Sequence, residues 1–275
     1  MPELFDRLER FYDAVPRDGA HTEIFGGLVL FVRNGAGWPF YARPRLGAAE
    51  PPSAADITAA RARQRELGAP EAFEWVHETT PDLLAVARSA GLTVLEAPLL
   101  VLDPAALVKP SRVPVRLIDP AAPSFAADIA VRRAVGAVGF GAPGTGAGPA
   151  GPAERDAAVF EVAEEELADE RRATGAGRRA SALAEDPELG VVASGILQRV
   201  DDVAEIAGVA TLPAARHRGF GAAVTAALAR HALDQGVDVV FLSAGSEDIA
   251  RVYTRVGFRR IGTACIGSPS IFPTV

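Results

Sequence analysis

Arg216-His217-Arg218-Gly219-Phe220-Gly221 has the residue types and order suited to holding a phosphorylated ligand. It lies between an apolar stretch ending at Pro213 and an alanine-rich run from Ala222 onward, which predicts a helix. The first turn of a helix leaves N–H groups unpaired at the positive end of its dipole, where a diphosphate is stabilised. Glycine at 219 and 221 lets the backbone approach phosphates without a Cβ clash. The planar forks of Arg216 and Arg218 match phosphate oxygens, and His217 would flank them. The plainer reading is a solvated basic loop, but the strand before it and the helix after it favour an anion site. The G-x-G-x-x-G and Gly-Lys-Ser/Thr patterns of dinucleotide and P-loop sites are both absent.

Three further positions carry reactive chemistry. A carboxylate at Glu205 could take a proton, directly or through water, if burial raised its pKa; otherwise it is an exposed strand residue beside Asp201 and Asp202. The phenol of Tyr253 could donate one, or could simply fill the core with its hydroxyl satisfied. His231, in mid-helix, reads as structural. Lys109 is the sole lysine, leaving little room for amine-nucleophile chemistry, and with one cysteine, Cys265, neither an intrachain disulfide nor a cysteine metal site can form.

The elements that must position these residues follow from periodicity. Residues 1–15 predict an amphipathic helix, 24–33 and 39–43 strands around a turn at 34–37, and 53–67 a helix ending at Gly68. A strand (72–76), a helix (81–89) and a strand (93–102) follow. The proline-rich stretch 103–114 predicts a linker, followed by a strand at 115–118 and a helix at 125–138. The Gly/Pro-rich stretch 139–152 predicts a mobile loop, and 154–172 one charged helix; both would face an acceptor. Three antiparallel strands are expected at 179–185, 191–200 and 204–212. Helix 221–235, strand 237–243, helix 247–256 and strand 259–267 complete the chain.

Two stretches repeat. Thr80–Leu92 lies over Ser246–Phe258 without a gap, and Ile57–Ala60 lies over Val224–Ala227 in the same order. The first copy has Ala87 where the second has Tyr253. It has Ala48-Ala49-Glu50-Pro51-Pro52 in place of the glycine loop, and prolines there remove backbone donors. Trp38, Phe40, Tyr41, Phe73 and Trp75 read as strand and core residues.

Arg216-x-x-Gly219-x-Gly221 resembles the R/Q-x-x-G-x-G/A signature of the GCN5-related N-acetyltransferase (GNAT) superfamily. Ser246, Ala250, Tyr253, Gly257 and Phe258 resemble a second family motif, which usually begins with Asn. The resemblance spans about 115–267 and implies an α/β (α+β) fold: a mixed, mostly antiparallel central sheet flanked by helices, in tandem with a degenerate N-terminal copy. We expect a degenerate domain at 1–108 and an acetyltransferase domain at 109–275. The resemblance implies acetyl-CoA as donor and direct attack by an amine within a ternary complex. Residues Gly219, Phe220, Gly221 and Ala222 would hold the diphosphate, and Val209 and Thr211 would pair with the pantetheine arm. The Val209 N–H would polarise the thioester, Ser246 would lie near the pantetheine, and Tyr253 would protonate the departing thiolate. Glu205 occupies the place of the base in one branch of the family. The alternative function is a non-catalytic acyl-CoA sensor.

The net charge of −7 argues against nucleic-acid or anionic-membrane partners. No basic n-region precedes an apolar run at the start, and no apolar stretch is long enough to span a bilayer. We therefore expect a cytoplasmic protein, monomeric as a pseudo-dimer or homodimeric, with an amine acceptor and no metal.

Overall fold

The computed structural model describes residues 2–35, 40–110 and 112–269. The last two residues of the turn expected at 34–37, together with Trp38 and Pro39, lie outside them. The chain forms two compact units, residues 1–99 with 261–275 and residues 100–260, so the first is not contiguous in sequence.

In the first unit, α1 (Pro2–Arg17) buries Leu8 and Phe11. The apolar run expected to form one strand is instead a hairpin: β1 (Ala20–Phe25) pairs antiparallel with β2 (Leu28–Arg33). The two residues between them, Gly26-Gly27, supply the short turn a tight hairpin needs. β3 (Ala42–Pro44) follows, then α2 (Ala54–Glu66), β4 (Phe73–Val76), α3 (Leu83–Ser89) and the start of β5 (Thr93–Leu102), whose last three residues belong to the second unit. β4 pairs antiparallel with residues 264–267 of the last strand, β11 (Phe258–Ser268). Leu28, Leu30, Ile57, Phe73, Trp75 and Cys265 share one core. Burial pushes the Cys265 thiol up to about 12, so it stays a protonated core residue.

The second unit orders its strands β10-β9-β8-β7-β6. These are β6 (Val115–Leu117), β7 (Arg179–Asp186), β8 (Gly190–Val200), β9 (Val203–Thr211) and β10 (Val239–Ser243). All neighbours are antiparallel except β9 and β10, which run parallel. Its helices are α4 (Phe125–Gly141), α5 (Pro152–Ala157), α6 (Glu164–Gly175), α7 (Phe220–Asp234) and α8 (Glu247–Val256).

The charged stretch expected as one helix is two, α5 and α6. Val162, between them, is buried with Phe125, Ile129 and Leu183, so tertiary packing overrides the local pattern. Helices α4 and α7 cover opposite faces of the sheet. A Cβ at Gly139 of α4 would lie 2.9 Å from Ala210 Cβ, whereas a Cβ at Gly195 would lie 2.8 Å from Val224 of α7. Ala210 is paired with Ser194, Gly195's neighbour on the opposite face. Among the described residues no helix is long and apolar enough to cross a membrane.

Candidate functional site

The parallel pair β9/β10 is in register only at Val203–Val239, Ala204–Val240 and Glu205–Phe241. Beyond Glu205 the two strands share no register, so both leave an edge at which another extended chain can bond. On its other side β9 pairs with β8, but irregularly. Ala207 faces Ile196 and Ala210 faces Ser194, so Gly208 and Val209 stand against Gly195 alone. This is a β-bulge, which re-aims the backbone of the bulged strand. Gly208 sits in the left-handed region (φ 59°), where residues with a Cβ are strained. The bulge escaped the sequence reading, although an isolated glycine in a strand pattern was its visible signal.

The glycine loop follows β9 directly. A 3-10 turn (Pro213–Ala215) leads to His217, at φ 62°, and Gly219, at φ 84°, and His217, Arg218 and Gly219 are all exposed. The first intrahelical bond of α7 runs from Ala223 N to Gly219 O (3.0 Å), so the N–H groups of Phe220, Gly221 and Ala222 precede the ladder. Gly219 provides no side-chain cap for them. A Cβ at Gly221 would lie 3.2 Å from Thr211 Oγ1 and 3.9 Å from Val209 Cγ1, so Val209, Thr211 and the loop converge on one face.

Both arginines are held by contacts within the chain. Arg216 donates to the carbonyls of Thr211, Gly146, Gly139 and Ala142 at 3.3, 2.9, 2.8 and 2.7 Å. Burial without a carboxylate partner in those contacts holds its pKa below the usual arginine value. Arg218 bonds to Asp186 and lies 5.2 Å from the centre of the Phe220 ring, which is buried. Burial raises the Asp186 pKa, but the amides of Glu188 and Leu189 and the Arg218 guanidinium outweigh it and hold the carboxyl below the ordinary range.

The corresponding helix of the first unit is closed. Ser53 Oγ accepts from Asp56 N (3.2 Å), and Asp56 accepts in turn from Ser53 N (2.9 Å) and Gly27 N (3.2 Å). Burial alone would raise the Asp56 pKa; these donors lower it more, so a carboxylate already occupies the positive end of α2. A Cβ at Gly27 would lie 2.6 Å from Pro52 N, so the prolines pack tightly there too.

Tyr253 is buried in the core that contains Phe220 and Val224, with Val209 and Ala222 packed against it. Its ring meets Phe258 edge-on at 6.3 Å, and burial pushes its phenol up to about 12. Ser246 Oγ caps α8 by accepting from Ile249 N (3.3 Å). Glu205 lies between the core residues Ala204 and Ile206, so alternation places it on the α4 face, opposite Val209 and Thr211. Its strand partners are Gln198 and Phe241. Among the described residues no group of three or more His, Cys, Asp or Glu side chains is placed to hold a metal ion.

Residues 183–266 match a family model described as FR47-like protein. No curated protein matches the chain in sequence. A GCN5-related N-acetyltransferase from Kribbella flavida aligns with 95% of this chain and 95% of its own, at TM-score 0.64 and 22% identity. A GCN5-related N-acetyltransferase-like protein from Streptococcus suis covers 98% and 99%, at 0.54 and 14%. A tandem GNAT protein from the clavulanic acid biosynthesis pathway covers 90% of this chain and 79% of its own, at 0.53 and 15%. The fold is therefore that of the GCN5-related N-acetyltransferases, as the two motifs implied. The order helix–strand–helix–strand occurs twice, as α2-β4-α3-β5 and as α7-β10-α8-β11.

Proposed function

We propose that the chain transfers an acetyl group from acetyl-CoA to the amine of a small-molecule acceptor, at one site in residues 109–275, with 1–108 as a degenerate scaffold. The observation that carries this reading is the parting of β9 and β10 beyond Glu205, beside the bulge at Gly208-Val209 and the uncapped start of α7. A pantetheine arm is an extended chain with amide groups, and the free edge of β9 at Val209 and Thr211 suits it. The N–H groups of Gly219 to Ala222, beside the exposed residues His217 and Arg218, suit a diphosphate.

The amine nitrogen attacks the thioester carbon within a ternary complex, and the developing oxyanion is stabilised by the re-aimed N–H of Val209. As the C–S bond breaks, Tyr253 donates to the sulfur. A phenol near 12 is a weaker acid than an ordinary thiol near 8.5, so Tyr253 stabilises the departing thiolate by its hydrogen bond, and the proton passes over fully only where burial raises the thiol above the phenol. Glu205, on the opposite face, takes the proton released by the amine, directly or through water. Ser246 supports the site from the start of α8.

Calorimetry with acetyl-CoA tests the donor, and CoA release against an amine panel tests turnover. Gly221→Glu places a carboxylate where the diphosphate is assigned and should abolish binding; intact binding would refute the loop assignment. Loss of turnover in Tyr253→Phe distinguishes an enzyme from a sensor, which has none to lose.

A further inference from the structure

Within the Gly/Pro-rich stretch 139–152, which composition predicts to be mobile, the segment 142–151 between α4 and α5 is stitched to the glycine loop. Besides the carbonyls bound by Arg216, Gly148 N donates to Pro213 O (3.2 Å) and Ala214 N to Ala150 O (2.9 Å). The packing is close, since a Cβ at Gly148 would lie 3.2 Å from Pro213 Cβ. Beyond the segment, Arg155 of α5 donates to Leu189 O (2.8 Å) and Val191 O (2.6 Å). That turn begins at Asp186, which holds Arg218. The contacts thus close a ring, from Arg216 through the segment and α5 to the turn, and back through Arg218.

Inside this ring the backbone is strained. His217 occupies the left-handed region at φ 62°, an uncommon conformation for a residue with a side chain. Such a conformation persists where the surroundings over-determine it. Arg216, its immediate neighbour, is fixed by four carbonyls, three of them in residues 139–146.

We propose that segment 142–151 belongs to the donor site: through Arg216 it holds the backbone of 217–222 in the shape that receives a diphosphate. Arg216 is then a positioning residue and not itself a phosphate ligand. This rests on the donor reading above.

The test uses the two halves of acetyl-CoA as separate probes, adenosine 3′-phosphate 5′-diphosphate and S-acetylpantetheine, with hydrogen exchange read over 142–151. Arg216→Gln should weaken the nucleotide half about tenfold or more, leave S-acetylpantetheine within about twofold, and speed exchange across the segment. Arg216→Lys should fall between, because one ammonium cannot reach four carbonyls. Gly148→Val, which leaves the Arg216 side chain chemically unaltered but pushes the segment and its carbonyls off Pro213, should reproduce the loss. Equal weakening of both halves would overturn the inference. So would loss of the nucleotide half in Arg216→Gln with exchange unchanged, which would put the guanidinium on the phosphates. Unchanged affinity in Gly148→Val would overturn it as well. If the unaltered chain binds neither acetyl-CoA nor its halves, the donor reading fails and this inference with it.

Discussion

Glu205 pairs with Phe241 at the last point where β9 and β10 run in register. Three residues further along β9, at Gly208, begins the bulge. The edge that opens and the strand that re-aims its backbone are therefore one local feature, set by Gly208. A Cβ at Gly208 would meet only Ile196, at 3.6 Å and 3.8 Å, so alanine fits sterically and its cost is backbone strain, roughly 1–2 kcal/mol. Gly208→Ala should fold with a lowered melting temperature. It should lose turnover by more than it loses acetyl-CoA affinity, because the re-aimed amide serves the reacting carbonyl. Calorimetry and steady-state kinetics on one preparation check this; equal losses in both would detach the bulge from catalysis.

Tyr253→Phe keeps the ring that packs against Phe258 and removes only the hydroxyl. Turnover should fall by about a hundredfold or more, within the range for a removed general acid, while acetyl-CoA affinity stays the same. Because burial raises the phenol to about 12, it keeps its proton at lower pH. Its ionisation should therefore produce no loss of turnover below about pH 10. An alkaline limb in that range that disappears in Tyr253→Phe would mean that the phenol ionises more readily than its burial implies, whereas undiminished turnover in Tyr253→Phe would remove its role as the acid.

Acetyl-CoA should bind with a stoichiometry of one per chain. The start of α7 has no side-chain cap, while that of α2 is filled by Ser53 and Asp56. Ser53→Ala should cost about 1 kcal/mol of stability, the usual worth of an N-cap, without creating a second site. Isothermal titration of both proteins reads this directly. A stoichiometry of two would mean that the capped helix also receives the donor.

Much of this site is legible in local sequence. The glycine loop, α7, α8 and the meander β7-β8-β9 each carry periodicity or turn residues that fix them within a few positions. Arg216 and Arg218 were recognisable as basic residues at an anion loop, but what their side chains bind was not. Asp186 lies 32 residues from Arg218, and Gly139 lies 77 from Arg216. Pairings across such distances leave no period in the chain. The same limit hid the pairing of residues 264–267 with β4, since a strand's partner is set by tertiary packing. Gly208 marked the bulge only by being a glycine in a strand, because one extra residue shifts the faces of a strand without changing its composition.

A last prediction concerns the stability of the first unit. Arg43 is fully buried, bonds to Glu9 and lies 5.1 Å from the Tyr12 ring centre. Glu9 also accepts from Thr79 Oγ1 at 2.6 Å, so its carboxylate is well supplied with donors. Glu74, the second carboxyl near Arg43, is less favoured. Burial pushes its pKa up to about 7, and the attraction of Arg43 offsets this only in part. The folded state thus binds this proton more tightly than the unfolded chain, whose value is the ordinary 4.5. Stability from this group is fully present below about pH 4.5, is lost as pH rises toward 7, and is constant above that. The full loss is up to about 3 kcal/mol, at 1.36 kcal/mol per pKa unit. Glu74→Gln removes the titration, so it should be more stable than the unaltered chain at pH 8 and about equal to it at pH 4.5. Denaturant melts at both pH values measure the difference; parallel pH profiles for the two proteins would show that Glu74 is ionised in the folded state without penalty.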